Sequence, residues 1–132
     1  RSANGTRAAT NLLERPAGKK LLIEFSQTWC GPCRRNLPKF SEVAEKAKKT
    51  TVTKYILLDR DDAAIAQFVN DFSSLIKFDV LTDDAREATK AYDVPGTPTT
   101  VVIDENNKVV KVHVGTMSDA DKEEVLELLG AK

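Results

Sequence analysis

Sulfur and imidazole are scarce in this chain. Its 132 residues hold two cysteines, one methionine and one histidine. A disulfide-stapled framework is excluded, because stapled domains rely on several bridges. A structural zinc site is left short of sulfur and imidazole ligands, of which it needs four in all. Charge of one sign is also missing: 20 basic and 20 acidic residues give a formal net charge of zero. No general attraction to nucleic acid or to an acidic membrane follows from such a balance. No apolar run approaches the length of a membrane span, and no signal-peptide core is visible. The chain opens at Arg1 without a methionine, so a removed leader or anchor stays compatible with it. What is present, 41% hydrophobic and 30% charged residues, suits one soluble domain large enough to fold without staples.

The polar stretch Arg1–Lys20, with Gly5, Pro16 and Gly18, reads as a lead-in with a short helical turn around Asn11–Glu14. "KKLLIEFS" is a compact apolar run, read as a buried strand apolar on both faces, in which Glu24 is out of character. From Cys33 the pattern turns helical: Leu37, Phe40, Val43, Ala44 and Ala47 recur at three- and four-residue steps. Pro38 inside that helix is expected to kink it. "TVTKYILLD" reads as a strand. Asp61 or Asp62 then caps a helix with the stripe Ile65, Phe68, Val69 and Phe72. "IKFDVL" alternates as a strand does, and Asp83 or Asp84 opens a short helix ending near Tyr92. "TPTTVVID" and "KVVKVHVG" form a hairpin around "ENN". In its second arm Val110, Val112 and Val114 share one face, leaving Lys111 and His113 on the other. His113 reads as a solvated strand residue rather than a ligand. Ser118 caps a last helix whose Val125, Leu128 and Leu129 face inward and which Gly130 ends. Strands alternating with helices indicate a layered α/β domain with a mixed sheet.

Both cysteines lie in "EFSQTWCGPC". Cross-linking so short a loop constrains the unfolded chain very little, so a structural role explains the pair poorly. A reactive role has a mechanism. A strand that gives way to a helix after Trp29 puts Cys30 at the helix N-terminus, where unpaired N–H groups and the macrodipole favour a thiolate. The Cys30 sulfur, partly uncovered, would attack a partner disulfide, and the more covered Cys33 would resolve the mixed disulfide. Gly31 and Pro32 form the tight turn, where proline loses no needed hydrogen bond. Glu24 lies on the strand that delivers Cys30. Desolvation there raises its pKa, so it can take the Cys33 proton and return it. Thr97–Pro98 opens a strand, an uncommon place for proline unless the bond is cis or the backbone is kept for a partner. A substrate segment could pair with the Thr97 backbone as an added strand.

Trp29-Cys30-Gly31-Pro32-Cys33, Glu24, Pro38, Thr97–Pro98 and Gly115 together resemble the thioredoxin superfamily, over roughly Lys19 to Leu129. The resemblance implies the thioredoxin fold, a cis bond before Pro98, and dithiol–disulfide exchange. Residues 1–18 would be a lead-in or tether and 19–132 the thioredoxin-like domain. The path from Asp59 to Tyr92 carries an extra helix and strand, inserted between the family's third strand and its cis-proline strand. With "CRRNLP" and "GTPTTVVID", it resembles the TlpA/ResA-type extracytoplasmic proteins, exported reductases usually anchored to the bacterial cytoplasmic membrane. Asn36 stands where many of them carry an acid. The lysine that pairs with the buried acid in thioredoxin corresponds to Lys54 or is replaced by Tyr55.

Implied, then, is a protein disulfide reductase exchanging electrons with protein disulfides or dithiols and recharged by an upstream donor protein. It would be a monomer needing no cofactor and no metal, binding no nucleic acid, and touching a membrane only through a removed anchor. Gly31-Pro32 is the reducing type of intervening pair by resemblance. The insertion also resembles peroxiredoxins, but the segment lacks their proline and Cys33 crowds the site. A non-catalytic binding module of the same fold is the other alternative.

Overall fold

The computed structural model describes residues 12–83 and 86–132. The elements run β1 (Lys20–Ser26), α1 (Gly31–Lys46), β2 (Thr51–Leu57), α2 (Asp62–Asp71), β3 (Asp79–Thr82), α3 (Glu87–Ala91), β4 (Thr99–Ile103), β5 (Val109–Val114) and α4 (Asp119–Leu128). Among the described residues the strands form one sheet in the order β3-β2-β1-β4-β5. β1, β2 and β3 are parallel, whereas β4 runs antiparallel to β1 and to β5. Within the Asp59–Tyr92 path, α2 precedes β3, which extends the sheet beside β2.

The period of two along β1 divides its side chains between two cores. Leu22 joins Tyr55, Leu57 and Val102 beneath Leu37, Phe40, Val43, Phe68, Val125 and Leu129 of α1, α2 and α4. Leu21, Ile23 and Phe25 join Ile56, Leu81, Val101 and Ile103 on the opposite face, where Ala88 and Tyr92 of α3 and its exit pack. Leu12 and Leu13, within the lead-in, pack there too, and Arg15 donates to the carbonyls of Leu13, Lys19 and Asp104. The start of the proposed turn at Asn11 lies outside the described residues.

Helix starts follow the chemistry of their caps. Asp61 Oδ1 accepts from the N–H groups of Ala63 and Ala64. Ser118 and Asp121 form a reciprocal capping box. Asp83 accepts from the backbone N–H groups of Ala88 and Thr89 at the start of α3; Asp84 lies outside the described residues.

Pro38 lies inside α1, which continues past it as one helix. Other local expectations need correction. β3 takes in only the second half of "IKFDVL": Ile76 N–H bonds back to Phe72 O, and Phe78 sits edge-on to Phe40 at 5.5 Å, so the first half closes α2 and fills the core. In α4 Leu126 is buried beside Val125 and Leu129, and Leu128, half-buried, packs against the same core. β5 is inverted relative to the simplest reading. Lys111 and His113 face α4, where Lys111 pairs with Glu124 and His113 lies 3.6 Å from Asp121. Val109, Val110, Val112 and Val114 are the exposed residues. The core under α3 holds no β5 residue.

Candidate active site

β1 ends at Ser26, and Gln27–Trp29 turn the chain into α1. The turn is held from outside: Asp59 accepts from both the N–H and the hydroxyl of Thr28, at 2.9 and 2.6 Å. Arg34 Nε donates to Thr28 O at 2.7 Å, and its guanidinium lies over Phe68 and Phe72. Cys30 is the N-cap of α1, its extended backbone turning the N–H of Cys33 onto its own Sγ at 3.2 Å. A sulfur at this point receives a first-turn donor and the positive end of the helix dipole, both of which stabilise a thiolate when the pair is reduced. The two sulfurs are joined as a disulfide. Cys33 is fully buried. Cys30 is only 5% exposed, less than the partly uncovered sulfur expected, because the Thr97 carbonyl stands 3.7 Å from Sγ.

Trp29 is 72% exposed beside the pair. Gly31 and Pro32 occupy the first turn of α1. The Thr97–Pro98 bond is cis, and Thr97 Oγ1 donates to Gln27 Oε1 at 2.9 Å. The fold therefore brings Trp29, Cys30, Gly31, Pro32, Thr97 and Pro98 to one end of the sheet.

Glu24 lies deeper, fully buried on the α1 face of β1, with Thr100 opposite it on β4 and Tyr55 opposite it on β2. Burial pushes its carboxyl up to about 8, and hydrogen bonds from Asn36 and Thr100 offset part of that rise. Oε1 accepts from Asn36 Nδ2 at 2.7 Å and Thr100 Oγ1 at 3.2 Å. The Tyr55 hydroxyl spends its proton on Ser26 Oγ at 2.7 Å, and Oε2 is left without a partner. Lys54 falls opposite Ile23, on the other face, where its Nζ donates to the carbonyls of Leu12 and Glu14. Tyr55, not Lys54, is the neighbour of the buried acid.

Three further residues, Asn36, Asp59 and Gln27, support the site. Asn36 had a readable signal, since positions 36, 40, 43 and 47 continue the apolar stripe and a polar residue there must find a buried partner. Asp59 and Gln27 had none, because their partners come from elements distant in sequence or from the opposing loop. Among the described residues, no group of three or more His, Cys, Asp or Glu side chains converges to hold a metal.

A mixed sheet of this order, a cysteine pair capping the helix after its central strand, and a cis proline facing the sulfur define a thioredoxin-fold dithiol protein. Known proteins agree. The family model described as Redoxin matches residues 2–129. Thiol-disulfide oxidoreductase ResA of Bacillus thuringiensis subsp. konkukian is 35% identical over 112 residues, which is 83% of this chain and 63% of that protein. The thioredoxin-like protein YneN of Bacillus subtilis is 30% identical over 119 residues, 88% of this chain and 68% of YneN. A Chlorobium tepidum structure described as a thiol:disulfide interchange protein DsbE superposes with a TM-score of 0.76 at 32% identity, covering 87% of this chain and 81% of that one. The chain belongs to the redoxin family, as a TlpA/ResA-like member of the thioredoxin superfamily. It spans 63% of the length of the ResA relative.

Proposed function

We propose that this domain is a thiol–disulfide oxidoreductase that reduces protein disulfides through Cys30 and Cys33. The observation that carries the reading is the N-cap geometry: the Cys33 N–H points at Cys30 Sγ, while Cys33 itself is fully buried. One sulfur is poised as a thiolate nucleophile and the other is protected until it is needed.

In the reduced enzyme the Cys30 thiolate attacks one sulfur of a substrate disulfide. A bond forms between Cys30 and that sulfur, and the other substrate sulfur leaves as a thiolate that takes a proton from solvent. Cys33 then gives its proton to the Glu24 carboxylate and attacks Cys30 Sγ, forming the intramolecular disulfide and expelling the second substrate sulfur as a thiolate that takes its proton from solvent. The substrate gains two electrons and the cysteine pair loses them. A donor dithiol protein reverses the exchange to restore the enzyme. A Glu24 carboxyl raised to about 8 by burial in the oxidised protein favours the protonated form that this transfer produces.

Trp29 offers an apolar contact beside the sulfur. The segment at Thr97 and Pro98 offers backbone for an extended substrate strand, and Gly31 and Pro32 make the tight first turn that follows Cys30. Reduction as the net direction rests on the Gly31-Pro32 pair. Action outside the cytoplasm rests on the TlpA/ResA resemblance, with residues 1–18 as the lead-in to a monomeric domain at 19–132. No helix among the described residues is long and apolar enough to cross a membrane.

The test is an insulin-type disulfide reduction assay run beside a peroxide-consumption assay, with the reduction potential measured against glutathione. The reading requires insulin reduction and a potential nearer to thioredoxin's, about −270 mV, than to that of an oxidising periplasmic donor, about −120 mV. Peroxide consumption without disulfide reduction would establish a thiol peroxidase. Activity in neither assay would leave a binding module.

A further inference from the structure

Asn36 is a neutral amide on the buried face of α1, one turn beyond Cys33, and only 2% exposed. Its two ends are fixed by chemistry. The Met117 backbone N–H can only donate, so the side-chain atom facing it at 2.9 Å must be Oδ1. The atom facing Glu24 at 2.7 Å is therefore Nδ2, which can only donate. Oε1 of Glu24 thus takes two donors, Asn36 and Thr100, and Oε2 takes none. A carboxyl held this way has one place for its proton, which is Oε2.

We infer that Asn36 is a positioning residue for the redox reaction: it orients Glu24 so that Oε2 carries the exchangeable proton, and it ties that orientation to the Gly115–Ser118 loop through Met117. The same loop reaches the substrate side, since Gly115 N–H donates to Pro98 O at 2.8 Å. One buried amide thereby joins the acid, the helix that carries Cys33 and the strand that opens at Pro98.

The titratable group facing Glu24 from β2 is Tyr55, whose hydroxyl proton goes to Ser26 and whose own surroundings include Asp59. β4 contributes uncharged Thr100 and α1 contributes Asn36; Cys33, on the same helix, does not titrate in the disulfide. No cation contributes to the setting of Glu24, so the Asn36 amide is the shortest donor it has. A donor to a carboxylate favours its charged form, and removing it drives the titration upward.

The proposal rests on Glu24 as the proton acceptor of Cys33, and its test separates the two. The oxidised domain, labelled with ¹³C at glutamate carboxyls, is titrated by NMR, with Glu24→Gln identifying the Glu24 signal. Asn36→Leu fills the same space without a donor and is expected to raise the Glu24 midpoint by about one pH unit. Asn36→Met is the second apolar replacement should the leucine variant not fold. A lowered melting temperature with an unmoved midpoint would make Asn36 a purely structural residue and overturn the proposal.

The pH profile of single-turnover resolution by Cys33 is recorded alongside. Its Glu24-dependent limb should move with the midpoint in Asn36→Leu, whereas in a Glu24→Gln background, which lacks that limb, adding Asn36→Leu should leave the profile unchanged. If Glu24→Gln leaves the wild-type profile intact, Glu24 loses its catalytic role, while the NMR midpoint still decides whether Asn36 governs its protonation.

Discussion

Two ionisable side chains are buried in neighbouring strands of this sheet, and they are treated in opposite ways. Lys54, on the α3 face, places its ammonium against the carbonyls of Leu12 and Glu14, so that the charge is met by oxygen dipoles. Glu24, on the α1 face, meets one amide and one hydroxyl on a single oxygen and nothing on the other. Desolvation acts on both, lowering the pKa of Lys54 and raising that of Glu24 to about 8. The lysine fastens the segment before β1 onto the sheet. The glutamate is left able to change its charge near neutral pH, beside a helix that carries two reactive sulfurs. Burial alone does not mark a functional group; the incompleteness of its partners does.

The comparison is broken most sharply at the sulfur end. Cys30→Ser should abolish insulin reduction while leaving the circular dichroism spectrum unchanged, because only the nucleophile is removed. Next in size is the loss of the acid: Glu24→Gln should slow the Cys33 resolution step about 10²-fold, the lower range for a positioned proton acceptor. Rapid-quench measurement of mixed-disulfide decay would read it, and an unchanged rate would remove Glu24 from the mechanism.

A smaller effect concerns stability, and its sign is opposite to that of a paired carboxylate. Glu24 has a folded-state pKa raised from 4.5 to about 8, so between those values the native state binds the extra proton. Its contribution is fully present below pH 4.5 and is lost as pH rises, at up to about 1.4 kcal/mol per pH unit, levelling off above pH 8. Glu24→Gln stays neutral and should flatten this part of the denaturation profile of the oxidised protein, becoming more stable than wild type at pH 8. Lys54→Met should sharpen the contrast from the other side. It removes a charged donor from two carbonyls and should cost about 1–3 kcal/mol of stability, with insulin reduction unchanged. A Lys54→Met protein of wild-type stability but impaired turnover would reverse the assignment of the two residues.

Much of this arrangement is legible in the sequence. The motif around Cys30 and Cys33, the misfit acid at position 24 and the Pro98 strand are local features, and their spacing carries chemical meaning. The α1 stripe and the caps at Asp61 and Ser118 follow from helical periodicity and unpaired N–H groups. The rest depends on register between distant segments. That Tyr55 rather than Lys54 faces Glu24 is a matter of one residue in a parallel pairing, and a one-residue slip exchanges the faces. β5 shows the limit of alternation, which separates the valines from Lys111 and His113 but does not say which set a helix covers. Asp59 and Asn36 act through partners 31 and 81 residues away, as hydrogen-bond acceptors for Thr28 and Met117, and no local pattern encodes such pairings.

The most direct measurement is the pH dependence of alkylation of each thiol in the reduced domain, followed by iodoacetamide labelling and peptide mass spectrometry. Cys30 should react with a midpoint well below the free-thiol value of about 8.5, while Cys33 stays protected. A Cys30 that titrates like a free cysteine, or a Cys33 that labels first, would contradict the assignment of nucleophile and resolving thiol.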